Sequence, residues 1–141
     1  MKKYGKSTKR GFTLVELIVV LVILAVLAAM LVPALTGYIQ RARQEKNYQM
    51  AATVQTAAQA AATYQFSLKE ADRDETIDGE SSCGNGVTVN DLIGDASGKV
   101  SNIAFEVEDG IVKSGSVDID GYTYTYDPTA VEIWTATEAN D

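Results

Sequence analysis

Residues 17–35 are 19 consecutive uncharged and mostly apolar residues, and this run constrains the chain more than any other feature. As an α-helix rising about 1.5 Å per residue, the run is roughly 28 Å long, close to the thickness of a bilayer's hydrocarbon core. The apolar core of a secretory signal peptide is usually shorter, about 7–15 residues. The run therefore predicts a transmembrane helix.

Charge is distributed unevenly around this run. Residues 1–11 hold five of the 12 Lys and Arg residues and no acid, which predicts that this end stays in the cytoplasm while the C-terminal body lies outside. The remainder carries 7 basic and 19 acidic residues, a net charge of −12. Such a surface repels nucleic acid, so we predict that the C-terminal body does not bind DNA or RNA.

The residue types that most enzymes use are scarce. The chain has no histidine and one cysteine, Cys83, which excludes a Cys/His zinc site, a Ser-His or Cys-His catalytic pair and an internal disulfide. We predict a protein that is not an enzyme and has no cofactor. Cys83 is interpreted as a bystander thiol, with an intermolecular disulfide as the alternative.

Composition divides the chain into four segments. Residues 1–11 form a basic leader, residues 12–35 an apolar helix, residues 36–70 an amphipathic continuation of that helix, and residues 71–141 a β-rich head with an acidic loop at 71–86. The amphipathic segment is rich in good helix formers, and its apolar residues recur at spacings of three or four. The predicted buried face contains Met50, Val54, Ala57, Ala61, Tyr64 and Leu68.

The head has the alternation and turn signals of a β-meander. "NIAFEVE", "IVKSGSVDI", "YTYTYD" and "AVEIWTA" predict four antiparallel strands, and the two Asp-Gly pairs at 109–110 and 120–121 predict hairpins. Tyr122, Tyr124 and Tyr126 fall on one strand face, interpreted as the core side. One apolar sheet face needs a cover, and the amphipathic helix supplies it. The predicted fold is α+β, with a long N-terminal helix packed on a small antiparallel meander.

Gly11-Phe12-Thr13-Leu14-Val15-Glu16, preceded by a basic leader and followed by the apolar run with Pro33, resembles the N-terminus of type IV pilins and pseudopilins. The resemblance implies that a membrane prepilin peptidase cuts between Gly11 and Phe12 and then methylates the amino group of Phe12. It also implies a homo-oligomeric helical filament, assembled by a membrane platform and its ATPase. The precursor is expected in the cytoplasmic membrane and the filament on the cell surface.

Three functions remain open at this point. The first is the major subunit of an extracellular type IV pilus. The second is a pseudopilin or minor pilin of a type II secretion or DNA-uptake system, and the third is a single-pass anchored surface protein that never polymerises. A simple anchor gives Glu16 and the Gly11–Phe12 junction no role, whereas the first two functions use both.

Glu16 is an acid inside an apolar segment, where a charge costs roughly 2.5–3.5 kcal/mol at the centre of a bilayer and less near its surface. Cleavage would give Phe12 an amino group that is largely protonated at neutral pH. The amine of Phe12 in the same subunit, four residues away, is one possible partner. The resemblance instead implies the Phe12 amine of a neighbouring subunit, and an acid that snorkels to water is the third possibility.

Pro33 lies near the end of the apolar run and has no N–H to donate to the carbonyl of Ala29. We expect a kink at Ala29–Pro33. We further predict that residues 25–34 unwind when subunits pack into a fibre. Elsewhere, the acids of the 71–86 loop invite a calcium interpretation, but the sixth position from Asp72 is Ile77 rather than glycine, so a solvated loop is favoured.

Overall fold

The structure is a computed structural model that describes residues 11–70 and 73–139. Contacts divide the chain into two compact units, Met1–Ala42 and Arg43–Asp141. The first helix, α1, spans Leu14–Ser67 and supplies residues to both units. Within the first unit, all described residues are solvent-exposed, including every apolar side chain of the 17–35 run. The predicted leader lies outside the described residues, apart from Gly11.

In the second unit, α1 packs one narrow face into the core. Val54, Ala57 and Ala61 of the predicted face are buried, and Met50, Tyr64 and Leu68 are half-buried. The buried face also includes five residues outside the prediction: Asn47, Ala51, Ala58, Ala62 and Gln65. Three of them are alanines, which are small enough to be buried on either side of the predicted stripe. The helix ends at Ser67, three residues before the predicted boundary at 70.

Short elements connect α1 to the main sheet. They are β1 (Thr76–Ile77), β2 (Ser82–Gly84), β3 (Val87–Thr88), α2 (Val89–Ile93) and a 3₁₀ helix, Gly94–Lys99. Thr88 caps α2, because its hydroxyl accepts from the Asp91 amide while the Asp91 carboxylate accepts from the Thr88 amide. The segment predicted as an acidic loop thus contains two short strands, and β1 forms because Ile77 is buried beside Phe105 of the sheet.

The head is built on the predicted meander. The strands β4 (Val100–Glu108), β5 (Ile111–Ile119), β6 (Tyr122–Tyr126) and β7 (Trp134–Glu138) pair antiparallel in sequence order, and β1 adds to the free side of β4. Both Asp-Gly pairs have positive φ at both residues, 54° and 75° at 109–110 and 53° and 80° at 120–121, as a tight hairpin turn requires. The α+β prediction, a long helix packed on an antiparallel sheet, is confirmed.

The last strand begins four residues later than predicted. The predicted segment starts at Ala130, but residues 127–133 form a turn in which the Asp127 carboxylate accepts hydrogen bonds from the amide and hydroxyl of Thr129. The Asp127 amide donates to the carbonyl of Ile133 at 2.9 Å, which closes the turn. The turn that begins at Asp127-Pro128 therefore overrides the strand propensity of Val131 and Ile133, both of which stay exposed.

A row of aromatic rings crosses the sheet over a glycine. Gly115 of β5 pairs with Phe105 on one side and Tyr126 on the other. The ring centroids of Phe105 and Tyr126 are 6.4 Å apart, and those of Tyr126 and Trp134 are 5.1 Å apart. A Cβ atom at position 115 would lie 2.6 Å from Cγ of Phe105, so the missing side chain makes room for that ring.

Gln59 fastens the β4–β5 hairpin to α1. Its amide nitrogen donates to the carbonyl of Gly110 at 2.7 Å, and its amide oxygen accepts from the backbone N–H of Val112 at 3.0 Å. One side chain therefore satisfies two backbone groups of the hairpin. Phe66 approaches the same turn, where a Cβ on Gly110 would lie 2.7 Å from that of Phe66.

Replacing Gly115 with alanine is expected to destabilise the head, because the new methyl group overlaps the buried Phe105 ring and approaches the Ala104 carbonyl at 2.7 Å. Overpacking of this kind costs about 1–3 kcal/mol. Thermal unfolding of the full chain in detergent should show a lower midpoint than the parent. Gly98→Ala is the matched control, since a Cβ there meets nothing within 4 Å. Equal midpoints for the two variants would contradict the packing argument.

Candidate processing and assembly site

The N-terminus of α1 is closed by a reciprocal pair of hydrogen bonds. The Glu16 amide donates to Oγ1 of Thr13, and the Thr13 amide donates to Oε2 of Glu16, both at 3.2 Å. The Thr13 carbonyl accepts the first helical hydrogen bond, from the Leu17 amide. This arrangement is a capping box, in which two backbone donors that the helix leaves free are satisfied by two side chains.

The box fixes where the helix starts and so defines the backbone at the predicted cleavage junction. Gly11, Phe12 and Thr13 precede the first helical residue, Leu14, and all three are exposed, Phe12 by 81%. A non-helical and exposed backbone is open to binding in an extended form. The Gly11–Phe12 bond lies in that stretch of chain.

Thr13 is the residue that the sequence interpretation missed. The pattern Thr-x-x-Glu just before an apolar run is a sequence signal for a capping box, and it is present at 13–16. The interpretation of Glu16 placed Phe12 one helical turn before it. In the structure Phe12 lies outside the helix, so the regular four-residue spacing of helical ion pairs does not apply to Phe12 and Glu16.

Pro33 lies inside α1, which is helical on both sides of it. The proline removes the N–H that would bond to the Ala29 carbonyl, and three residues later the Thr36 hydroxyl donates to the Val32 carbonyl at 2.8 Å. A serine or threonine that bonds back in this way tends to bend a helix slightly. The kink predicted at Ala29–Pro33 stays a prediction, as does unwinding of residues 25–34 in a fibre.

The apolar surface of α1 is extensive and continuous around the helix. Leu17, Ile18 and Val19, on successive sides of the helix, are each about half exposed, at 49%, 51% and 50%. The helix is long and apolar enough to cross a membrane, and the most apolar 18-residue window has no buried residue. Soluble proteins rarely expose an apolar patch of this size, so the surface indicates contact with lipid or with protein.

Residues 6–32 match the family described as the prokaryotic N-terminal methylation motif. The chain carries the type IV prepilin signature. The match begins in the basic leader and covers the Gly11–Phe12 junction, the capping box and most of the apolar run. No curated protein and no solved structure matches the chain.

The prepilin signature and the long apolar helix together indicate a type IV pilin-like structural protein, anchored in a membrane as its precursor. The motif implies processing by prepilin peptidase and assembly as a filament subunit. The structure brings Thr13 and Glu16 together, with Gly11 and Phe12 directly before them, whereas Pro33 belongs to a separate stretch of α1.

The other candidate positions of the sequence analysis lie in the head. Among the residues that the structure describes, no cluster of three or more acids, cysteines or histidines is arranged to hold a metal ion, and Asp72 of the proposed calcium pattern lies outside them. On the tyrosine face, Tyr124 is buried and packs edge-on to Tyr48 at 5.2 Å, Tyr126 is half-buried and Tyr122 is exposed. The core interpretation thus holds most fully for Tyr124.

A filament map is expected to show the helix interrupted between residues 25 and 34, because a proline that lacks its N–H leaves the weakest turn of α1 there. Pro33→Ala restores the donor, so filaments of that variant should show unbroken helix in the same place. Continuous straight helix through this stretch in wild-type filaments would contradict the prediction.

Cys83 is expected to react slowly with alkylating reagents in the folded protein. Burial, with a smaller contribution from the Asp91 charge, raises the pKa of the thiol, and Sγ approaches the Ala57 carbonyl at 3.9 Å. The thiolate is the reactive form, so a raised pKa leaves less of it at pH 8. Iodoacetamide labelling at pH 8 should be slower in native than in unfolded protein, and the native rate should still be rising above pH 9. Equal native and unfolded rates at pH 8 would contradict this.

Proposed function

We propose that this chain is the major subunit of an extracellular type IV pilus. Peptidase cleavage between Gly11 and Phe12 would remove the leader, and methylation would follow on the Phe12 amine. The mature subunit would wait in the cytoplasmic membrane and then join a helical filament through α1. A membrane platform and its ATPase would drive that transfer.

The observation that carries the proposal is the exposed apolar surface of α1 directly behind a prepilin signature. A lipid bilayer covers such a surface in the precursor. Once the subunit leaves the membrane, the same side chains need another apolar environment, because their exposure to water costs about 25 cal/mol per Å². Bundled copies of the same helix provide that environment, so one surface serves both states in turn.

Glu16 is proposed to align subunits in that bundle. In apolar surroundings a carboxylate needs a partner, and the newly formed Phe12 amine of a neighbouring subunit supplies the opposite charge. The attraction weakens steeply if two copies are out of axial register, because Coulomb energy in a low-dielectric environment changes strongly with distance. The pair therefore favours one stagger between subunits.

The small head supports a major subunit over a minor one. Residues 73–139 contain two short paired strands, one five-residue helix, a 3₁₀ helix and the five-stranded sheet, with no large inserted domain. A pseudopilin or minor pilin of a secretion or DNA-uptake system is the second candidate, since the prepilin signature is the same in both. Subunit abundance in purified surface fibres distinguishes them, because the major subunit makes up most of the mass.

Mass spectrometry tests the processing step directly. The mature protein is expected to begin at Phe12 and to carry an added methyl group on its amino terminus. An intact Met1 would point to an unpolymerised anchored protein and contradict the proposal.

Replacing Glu16 with alanine should leave cleavage intact but lower fibre yield by roughly tenfold or more. The Phe12 ammonium then has no partner in apolar surroundings, where an unpaired charge costs about 2.5–3.5 kcal/mol, and about 1.4 kcal/mol is a factor of ten. Sheared surface fibres can be quantified by immunoblot.

Glu45→Ala is the matched control, because it removes an exposed acid from the same helix, where a surface charge contributes little. Normal fibre yield in Glu16→Ala, or an equal loss in both variants, would show that Glu16 has no role in register.

A further inference from the structure

We propose that α1 carries a binding site for the headgroup phosphate of an anionic phospholipid, formed around Gly37 and Arg41. The site is a notch of about 220 Å³ that is lined by Ala34, Gly37, Tyr38 and Arg41. Lipid bound there would fix how deep the helix lies in the bilayer. The inference goes beyond the proposed function, because it requires only a membrane-inserted chain and applies equally to a pilin, a pseudopilin or a simple anchor.

The glycine at position 37 is not explained by packing within its own chain. Gly37 lies inside α1, where glycine is less favourable than alanine. A Cβ atom at this position would meet nothing within 4 Å, so no neighbouring group of the chain needs the space. The missing side chain instead opens the notch. The group that uses this space therefore comes from outside the chain.

Two hydrogen-bond donors border the notch and point to an anionic occupant. Tyr38 and Arg41 are three residues apart on one side of the helix, and both are exposed. No acid pairs with Arg41, because the salt bridge between Lys113 and Glu108 is the only one within the described residues. A guanidinium donates two parallel hydrogen bonds to a phosphate, and a phenol hydroxyl donates another.

The notch lies at the depth of the lipid headgroups. With residues 17–35 in the hydrocarbon core, Arg41 is six residues beyond the edge of that core, about 9 Å along the helix. The headgroup layer extends roughly 5–8 Å beyond the core on each side. Helical side chains point back towards the N-terminus, so the long arginine side chain brings its guanidinium into this layer. Tyrosine is also enriched at this depth.

A phospholipid fits this position better than a second copy of the chain. The exposed apolar run that precedes the notch already requires lipid in the precursor, and headgroup phosphates surround the helix at the depth of Arg41. A neighbouring copy inserted in the same direction would instead bring its own Arg41 to the same depth. Two guanidinium groups repel each other there.

Removal of the leader would make this contact more important. Residues 1–11 hold five basic residues and no acid, and they are predicted to lie at the cytoplasmic surface. Cleavage in the proposed function removes all of them, whereas Arg41 remains at the opposite surface. The notch would then help to hold the processed helix at one depth until it joins a filament.

Native mass spectrometry of the full-length chain tests the site. The protein is released from mixed micelles that contain equal amounts of phosphatidylglycerol, which is anionic, and phosphatidylcholine, which has no net charge. The fraction of protein that retains each lipid is measured for wild type, Arg41→Gln, Gly37→Leu and Arg43→Gln. A parallel sample without phospholipid receives inorganic phosphate. Circular dichroism and the thermal midpoint of the head verify that each variant is folded.

Wild type is expected to retain phosphatidylglycerol in preference to phosphatidylcholine and to retain no inorganic phosphate. Arg41→Gln should lower phosphatidylglycerol retention about fivefold, the effect of one basic residue near an anionic surface. Gly37→Leu keeps the charge but fills the notch, so a similar loss is expected. Arg43→Gln is the matched control and should stay near wild type. It removes the same charge two residues further along α1, on nearly the opposite side of the helix.

Four results would overturn the site. Equal losses in Arg41→Gln and Arg43→Gln would show a general charge effect without a built site, and full retention in Gly37→Leu would show that the notch is not used. Equal binding of inorganic phosphate would remove the role of lipid. Protein dimers that form without phosphatidylglycerol and disappear in Arg41→Gln would assign the notch to a second copy. Failure of the proposed function is distinguishable, since lipid retention is measured on unprocessed chain and needs neither cleavage nor fibres.

Discussion

The apolar surface of α1 has to be covered, and the two parts of the helix differ in what covers them. Over residues 17–35 the helix has apolar side chains on all sides and leaves them exposed, whereas from residue 43 it buries one narrow face in a folded head. The same backbone conformation therefore serves two environments. The head satisfies its own part of the helix with a sheet, and the remaining part requires lipid or other chains. A membrane around the precursor meets this requirement, and so does the helix bundle proposed for the filament.

The head achieves its stability with few large side chains. Its helix contributes mainly alanine to the core, and the largest fully buried side chains include Phe105, Tyr124, Ile77 and Ile119 on the strand side. The single side chain of Gln59 then makes two hydrogen bonds to backbone groups of the β4–β5 hairpin. The small residues of the helix leave room for the large residues of the strands, so that together they fill the core.

Sequence periodicity predicted the helix, the meander and both hairpins, because each has a local signal: a spacing of three or four, an alternation, or an Asp-Gly pair. It placed the start of the last strand wrongly, since the turn at Asp127 depends on side-chain hydrogen bonds that no apolar pattern reveals. It also missed β1, which is two residues long and exists because Ile77 finds a buried place beside Phe105. The pattern Thr-x-x-Glu at 13–16 predicts the capping box, in which Glu16 serves as part of the helix cap as well as a charge.

The position of β7 has a consequence for crowded surroundings. It pairs with β6 alone and leaves its outer backbone groups facing solvent, which is the kind of template on which other strands add and proteins aggregate. The strand has five residues, and its exposed polar or charged residues make it a poor template: Thr135, Thr137 and Glu138. The short length of β7 and its exposed polar side chains disfavour the addition of further strands to this edge of the sheet. Heads at high local concentration would thus not associate through this strand, and association between chains is left to the apolar part of α1.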